Sequence, residues 1–476
     1  MILDGVRYRW ALVLLAACFH PTPPEGAPCA SGAACPDPLV CSQGVCVRTP
    51  NDARDDGAPG DVPIDVAIDA DLSCSCQGTT LACGNGMTTT CSLGCMPLSP
   101  GARCIAIDPA NNVGIVAADA LTTSITITGG VATFDTDSGA ITGVLTRGAG
   151  PGVIANIAYE QRMTGTQPIG VWSFHKLTVS LGAKIQFTGA RSAVFVVGTD
   201  ATIAGDVDGG GGCYGGDPRC AGPGGGTGGN NAVGAGCGPG GVGAMATVGN
   251  FDGGGGGGAG TSAGGVGGMG GSDGMGGSAG VGCVMPIGEP LVGGSGGGAG
   301  GKGTTTGCKG GGGGGALQIT AEDTISVGGT IKMGGSGGEG GQADTLTFNG
   351  GGGCGGGAGG SILLEARVVT VAVGGVLTAN GGGGGAGAYT TDGLRGASGG
   401  VTASPASGGS GGILAGSGGN GAAGATTATA GGPSSISNAG GGGGGAGTIY
   451  IRTSPGMLTQ AGLATPAAGT ALIRTQ

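Results

Sequence analysis

The stretch ALQITAEDTISVGGTIKMGG at residues 316–335 decides the fold, because its pattern returns as SILLEARVVTVAVGGVLTAN at residues 361–380. Each copy reads as strand, turn, strand, Gly-Gly, short strand and then a glycine tract. A looser copy occupies 193–209, and a fourth begins at 447–452. One copy cannot bury both faces of its strands, whereas copies stacked in register can. The repeat therefore predicts an all-β fold, a parallel β-helix or solenoid, with chance similarity between low-complexity pieces as the competing explanation.

Short strands with alternating apolar residues precede the repeats and extend this prediction toward the N-terminus. SITIT at 124–128, LTVSL at 177–181 and KIQFT at 184–188 are each followed by glycine. Their spacing of about 8 to 12 residues also suits a sandwich or a barrel, and the repeat is what favours the solenoid. We divide this part of the chain into an N-terminal solenoid part at 105–208, a glycine-rich insertion at 209–315, and repeated solenoid units with glycine-rich loops at 316–476.

Glycine accounts for 128 of the 476 residues and is concentrated in long tracts. The tracts lack the every-third-residue repeat of collagen, and so much glycine excludes a stable α-helix. Three structures remain open for them: flexible coil, loops tied down by cysteines, or packed polyglycine-II strands with three residues per turn. A phosphate-binding loop is not indicated, because no helix pattern follows Gly301-Lys302-Gly303-Thr304.

The first residues predict export and a lipid anchor. Two arginines precede a compact apolar run at 10–17, which is too short to span a bilayer. The run ends in LAAC at 15–18, which resembles a bacterial lipobox, so we interpret 1–17 as a lipoprotein signal peptide and Cys18 as the lipidated residue. A plain secretory signal with a chance cysteine is the alternative. Phe19, in place of an aspartate, favours the outer membrane by the same resemblance.

The 17 cysteines support export, because setting aside Cys18 from 17 leaves an even 16 that can all pair. The first group is Cys29, Cys35, Cys41 and Cys46; the second is Cys74, Cys76, Cys83, Cys91, Cys95 and Cys104; the third is Cys213, Cys220, Cys237, Cys283, Cys308 and Cys354. We interpret all three groups as disulfide frameworks whose pairings the sequence leaves open. Zinc is disfavoured, since neither of the two histidines lies in the cysteine-rich head. We predict no metal and no cofactor.

Two small stapled modules and a spacer separate the anchor from the solenoid. We place the anchor and four-cysteine module at 18–48 and the six-cysteine module at 73–104, each too small for a core without disulfides. Between them, 49–72 holds seven aspartates, one arginine and several prolines, which predicts an extended, self-repelling spacer. Calcium binding is the alternative for these aspartates, but they form no D-x-D-x-D-G loop.

Asp200, Asp206 and Asp208 are the best candidates for acid–base chemistry. Asp206 and Asp208 lie two residues apart and so face the same side of an extended strand. Paired carboxylates can hydrolyse glycosidic bonds. We favour the simpler interpretation, in which they are polar residues where a strand enters a loop. Glu365 and Arg367 likewise share a strand face and are expected to pair with each other or to face solvent.

Trp172, Phe174 and His175 are candidates for a sugar-lining group, although we favour an aromatic core at one end of the solenoid. Two histidines support no Ser-His-Asp grouping, so we predict no catalytic residues. Short threonine runs, as at 426–429, are the only basis for ice or mineral binding. The net charge of −10 argues against nucleic acid and anionic lipid as partners.

Together, the lipobox signal, the Asp/Pro spacer, the six-cysteine head and the SILLEA…ANGGGGG tail resemble the uncharacterised glycine-rich, PE-PGRS-like lipoproteins of myxobacterial type. The mycobacterial PE-PGRS proteins are similar in their glycine tracts only, because their PE domain has no counterpart here. The resemblance implies an architecture and a compartment but no particular activity. We expect a lipid-anchored outer-membrane protein at the cell surface, with a structural or adhesive role and no catalysis. Expected partners are the membrane, through the anchor, and an extracellular glycan or another surface protein. A β-helix enzyme acting on polysaccharide is the alternative.

Overall fold

The computed structural model describes most of the chain after residue 73. The described residues are the backbone of 39–42 and 45–48, and 74–475 except 85, 92, 99–100, 112, 114–122, 213–216, 218–219, 244, 246–250, 284–287, 304, 306, 345–349 and 413. The chain divides into two compact units, Met1–Ala70 and Asp71–Gln476. The signal peptide, Cys18, the aspartate spacer, Cys29, Cys35 and Cys213 lie outside the described residues.

The all-β prediction is confirmed: the described residues form twenty-six strands and no α-helix. In chain order the strands are β1 Leu39–Ser42, β2 Val45–Arg48, β3 Ser75–Gln77, β4 Thr80–Ala82, β5 Thr88–Thr90, β6 Cys95–Leu98, β7 Gly101–Cys104, β8 Ser124–Ile127, β9 Gly130–Asp135, β10 Ile141–Gly143, β11 Gly152–Ile154, β12 Ile157–Thr164, β13 Gln167–Phe174, β14 Lys176–Val179, β15 Ala183–Thr188, β16 Ser192–Val197, β17 Asp200–Ile203, β18 Asp206–Asp208, β19 Ala316–Val327, β20 Thr330–Lys332, β21 Ser361–Val371, β22 Val376–Thr378, β23 Thr448–Thr453, β24 Leu458–Gln460, β25 Leu463–Thr465 and β26 Gly469–Leu472.

Parallel pairing arranges the strands of the larger unit into three stacks. The first stack contains β13, β16, the first half of β19, the first half of β21, and β23. The second contains β8, β14, β17, the second halves of β19 and β21, and β24. The third contains β9, β15, β18, β20, β22 and β25. The two sequence repeats are therefore neighbours in every stack.

Side chains from all three stacks form one apolar core. In the first stack Phe195, Ile319, Leu364 and Ile451 are register partners on successive strands, and each is at most 1 % exposed. The second and third stacks contribute the equivalent rows Val179, Ile203, Val327 and Val371, and Ile185, Val207, Ile331 and Leu377. Because equivalent apolar positions stack on one another, each repeat completes the core of the next.

Antiparallel strands close the N-terminal end of the stacks. There β10 pairs with β9, while β11, β12 and β13 pair in order. The buried guanidinium of Arg147 fixes the connecting loop by donating hydrogen bonds of 2.7–3.1 Å to five carbonyl oxygens. The acceptors are Gly139, Gly148, Gly150, Gly152 and Ile157.

The glycine segments leave the stacks after third-stack strands and return before first-stack strands; we call the segments within 209–315, 333–360 and 379–447 the glycine bundle. Segment 352–360 lies inside this bundle and bonds to its neighbours with a three-residue period at 2.7–3.0 Å. Gly352, Gly355 and Ala358 donate to Gly301, Gly298 and Ser295; Gly353, Gly356 and Gly359 donate to Ala439, Gly442 and Gly445; Cys354, Gly357 and Gly360 donate to Glu339, Ser336 and Met333.

The carbonyl groups of the same segment accept from three further segments. Gly353 and Gly356 accept from Gly255 and Gly258; Gly355 and Ala358 accept from Gly311 and Gly314; Cys354 and Gly357 accept from Gly385 and Gly382. The segment thus has six neighbours, which accept from all nine of its N–H groups and donate to most of its carbonyl groups without a sheet.

Disulfides occur within the six-cysteine module and, separately, within the glycine bundle. The described pairs are Cys74–Cys83, Cys76–Cys95, Cys91–Cys104, Cys237–Cys283 and Cys308–Cys354. Cys220 is disulfide-bonded as well. The two described bundle disulfides each join residues 46 positions apart, and they therefore restrain segments that have few side chains to pack.

Candidate functional site

The three candidate carboxylates lie on the outer faces of the second and third stacks, where lysines from the preceding strands meet two of them. The Nζ atom of Lys176 is 2.9 Å from the Oδ2 atom of Asp200, and Lys184 is at the same distance from Asp208. Asp206 is exposed, on the same side of β18 as Asp208. Asp200 and Asp208 therefore form ion pairs with lysines on neighbouring strands, one pair in the second stack and one in the third.

Electrostatics favour the charged form of Asp208. Its partial burial opposes ionisation, but Lys332, Lys184 and the N–H group of Gly210 outweigh burial and hold the pKa of Asp208 below its ordinary value. A glycosidase acid requires the opposite shift, because it must remain protonated near neutral pH. Asp208 is therefore suited to an ion pair rather than to proton donation.

Asp208→Asn is expected to lower the free energy of unfolding at pH 7 by about 1 kcal/mol, as for a partly exposed pair. A carboxyl with a depressed folded pKa stabilises the protein above its unfolded pKa and loses this contribution as pH falls through the folded value. The difference from wild type should therefore be smaller at about pH 3 than at pH 7. Urea unfolding at both pH values measures it, and a pH-independent difference would contradict the ion-pair explanation.

The aromatic group belongs to the core, as expected. Trp172 and Phe174 are fully buried, and Trp172 packs edge-on against Phe134 and Phe195. Neither ring has a face available to a sugar. His175 lies apart from them at the end of β13, where it is partly exposed and its Nδ1 atom is buried without a hydrogen-bond partner.

The expected pairing of Glu365 with Arg367 is wrong. Arg367 pairs instead with Asp323 on the neighbouring strand, and both side chains are about one-third exposed. Glu365 is 1 % exposed and its Oε1 atom lies 3.0 Å from Arg452, which is equally buried. The physical reason is the passage of β19 and β21 from the first stack to the second, where the register shifts between Ala321 and Thr324, opposite residue 367. Glu365 lies before this point and Arg367 lies at it, so the two side chains have different neighbours.

Neutral donors complete the environment of Glu365. Its carboxylate accepts hydrogen bonds from Gln318 at 2.8 Å, Thr320 at 2.9 Å and the N–H group of Ala110 at 3.1 Å. Ala110 belongs to residues 107–111, which cross the outer face of the first stack. Burial raises the pKa of Glu365, and Arg452, Thr320 and the N–H group of Ala110 oppose that rise. A carboxylate so enclosed is suited to joining segments, not to meeting a substrate.

Arg452 and the crossing segment are the residues that sequence reasoning missed. The signal for Arg452 was present, because the copy at 447–452 aligns Arg452 with Glu365 of the preceding copy, and the structure pairs them in register. Arg452 also contacts Glu289 at 2.5 Å, and Arg474 lies 2.9 Å from the same carboxylate. No comparable pattern marks residues 107–111.

Comparison of the chain with protein-family models, with curated proteins and with solved structures finds no match in any of the three. Within the part of the chain that the structure describes, no helix is long and apolar enough to cross a membrane. Those same residues bring together no three His, Cys, Asp or Glu side chains as a metal-holding group.

Proposed function

We propose that this chain is a lipid-anchored outer-membrane protein with a structural or adhesive role at the cell surface. The observation that carries the proposal is the glycine bundle, a large ordered part of the protein that is built from backbone hydrogen bonds and contains few reactive side chains. Asp200 and Asp208 are engaged in ion pairs, and no arrangement in the described residues favours the alternative of a polysaccharide-cleaving enzyme.

The proposed architecture is a parallel β-solenoid that carries a polyglycine-II bundle. Three in-register stacks with a shared core support the solenoid. The three-residue hydrogen-bond period and the six neighbours of segment 352–360 support the polyglycine-II assignment, because such strands have three residues per turn and no internal hydrogen bonds. Of the three alternatives for the glycine tracts, this geometry favours packed strands with disulfide restraints.

This architecture suits a load-bearing or displaying role. A bundle in which neighbouring backbones bond in six directions resists bending, and its close approach leaves no internal cleft at segment 352–360. The N-terminal anchor would hold the body at the membrane through the spacer. An adhesive protein needs a rigid, repeated surface more than a reactive pocket. The glycine bundle supplies such a surface.

Cys18→Ser is expected to release the protein from the membrane fraction, because the cysteine sulfur would be the site of lipid attachment and several acyl chains are needed for stable anchoring. Immunoblotting of membrane and soluble fractions measures the release, with Cys29→Ser as the control that leaves the anchor intact. Membrane retention of the Cys18→Ser chain would refute the anchor. Protease treatment of intact cells then tests exposure at the surface, and complete protection would place the body in the periplasm.

A further inference from the structure

One side of the glycine bundle displays large apolar side chains in rows. Segment 274–283 lies between two antiparallel neighbours, to which it is joined by hydrogen bonds from Gly241 to Ser278, from Gly264 to Gly280 and from Gly267 to Gly277. We call the exposed large side chains on these three segments the apolar face; they are Val242, Met245, Val266, Met269, Met275 and Val281, with exposed fractions of 38–79 %.

The rows follow from the three-residue period of the segments. Met275, Ser278 and Val281 are exposed at every third position, while Gly277 and Gly280 between them are buried. Side chains therefore form ridges, and glycines form the grooves that separate them. Soluble monomers rarely expose so many neighbouring apolar side chains, and methionine is common at adaptable binding surfaces.

The same side also has an open hydrogen-bonding edge. Within the described residues, the N–H groups of Gly276, Ala279 and Gly282 have no acceptor. The N–H groups of Gly277 and Gly280, in contrast, donate to the carbonyl groups of Gly254 and Gly257. Unpaired backbone groups in a row are a template for another chain, as at the edge of a sheet. A partner can meet this edge by presenting backbone carbonyl groups, and a glycine-rich segment allows the closest approach.

Charge supports the same kind of partner. The chain has a net charge of −10, yet residues 231–283 contain only two charged residues, Asp252 and Asp273. Asp252 is 1 % exposed. Two copies can therefore meet at this face with little of the like-charge repulsion that opposes contact elsewhere. The face offers no basic group to an acidic partner.

We propose that the apolar face is a self-association surface, and that its occupant is the same face of a second copy of this chain. A two-fold rotation brings the same face of two copies together, and the buried glycines between the exposed side chains leave room for the side chains of the partner. This inference is independent of the lipid anchor and of the adhesive role.

Site-directed cross-linking of the full chain tests the proposal. Ser278→Cys places an exposed thiol at the centre of the face, and Ser410→Cys places a matched exposed thiol elsewhere on the bundle. A short bis-maleimide reagent is expected to give a covalent dimer with Ser278→Cys at least about tenfold more efficiently than with Ser410→Cys. Equal yields would indicate random collision and overturn the proposal, as would the absence of dimer from both.

Charge insertion supplies the second test. In the Ser278→Cys background, Met275→Lys with Val281→Lys is expected to lower the dimer yield about tenfold, because four lysines would meet in one contact. Leu394→Lys with Val401→Lys adds the same charge at exposed positions outside the face and should leave the yield unchanged. An undiminished yield with the first pair would overturn the proposal. The yield is read in whichever fraction contains the chain, so failure of the anchor prediction does not affect this result.

Discussion

Gly355→Ala is expected to lower the free energy of unfolding by about 3 kcal/mol, a large effect for the addition of one methyl group. A Cβ atom at position 355 would lie well inside the van der Waals distance of the carbonyl oxygen of Gly256. The obstructing atoms are backbone atoms of a packed segment and cannot rotate away. Overpacking in cores commonly costs about 1–3 kcal/mol, and an immovable neighbour places this case at the upper end.

Gly400→Ala is the matched control, since an added Cβ there has no atom within 4 Å and the glycine has no positive φ. We expect this variant to be as stable as wild type, or more stable by about 0.5 kcal/mol through reduced freedom of the unfolded chain. Urea unfolding followed by hydrogen exchange of the bundle amides measures both variants. Equal stability of the Gly355→Ala chain and wild type would contradict close packing of segment 352–360.

The stacking of β19 on β21 could be predicted from sequence because both strands carry alternating apolar positions that match on either side of one irregularity. Alternation is a local property, and in-register stacking follows once two copies are recognised. The state of the glycine tracts could not be predicted in the same way. Segment 352–360 is bonded to residues near 256 and 442, and glycine offers no side-chain pattern that identifies such distant neighbours.

The buried ion pair between Glu365 and Arg452 likewise could not be predicted from local sequence spacing. Local spacing favoured Glu365 with Arg367, but Arg367 lies at the irregularity between β19 and β21 and pairs with Asp323, while the partner of Glu365 is 87 residues away. Aligning the fourth copy with the third places Arg452 opposite Glu365. This copy is only six residues long, so the alignment alone is a weak basis for predicting the pair. The role of Ala110 depends on a main-chain N–H group, which every residue except proline carries, so the sequence contains no sign of it.

Arg452→Met is expected to lower the free energy of unfolding by about 3–5 kcal/mol, because it leaves the carboxylate of Glu365 buried without its counter-charge. Arg367→Met is the control on the same sheet: its partner Asp323 is partly exposed, so its loss should cost no more than about 1 kcal/mol. Urea unfolding at pH 7 measures both. Equal effects would mean that the buried pair is no more important than the surface pair.

Combining Glu365→Gln with Arg452→Met separates the effect of the buried charge from the effect of lost packing. Glu365→Gln removes the buried negative charge while an amide oxygen remains to accept from Ala110 and Gln318. In the Arg452→Met background it should therefore restore part of the lost stability, whereas in the wild-type background it should be destabilising. The resulting coupling energy is expected to be about 2–3 kcal/mol. If Glu365→Gln destabilises both backgrounds equally, the coupling is zero and the cost of Arg452→Met comes from lost packing, since an uncompensated charge on Glu365 would have been relieved by its neutral isostere.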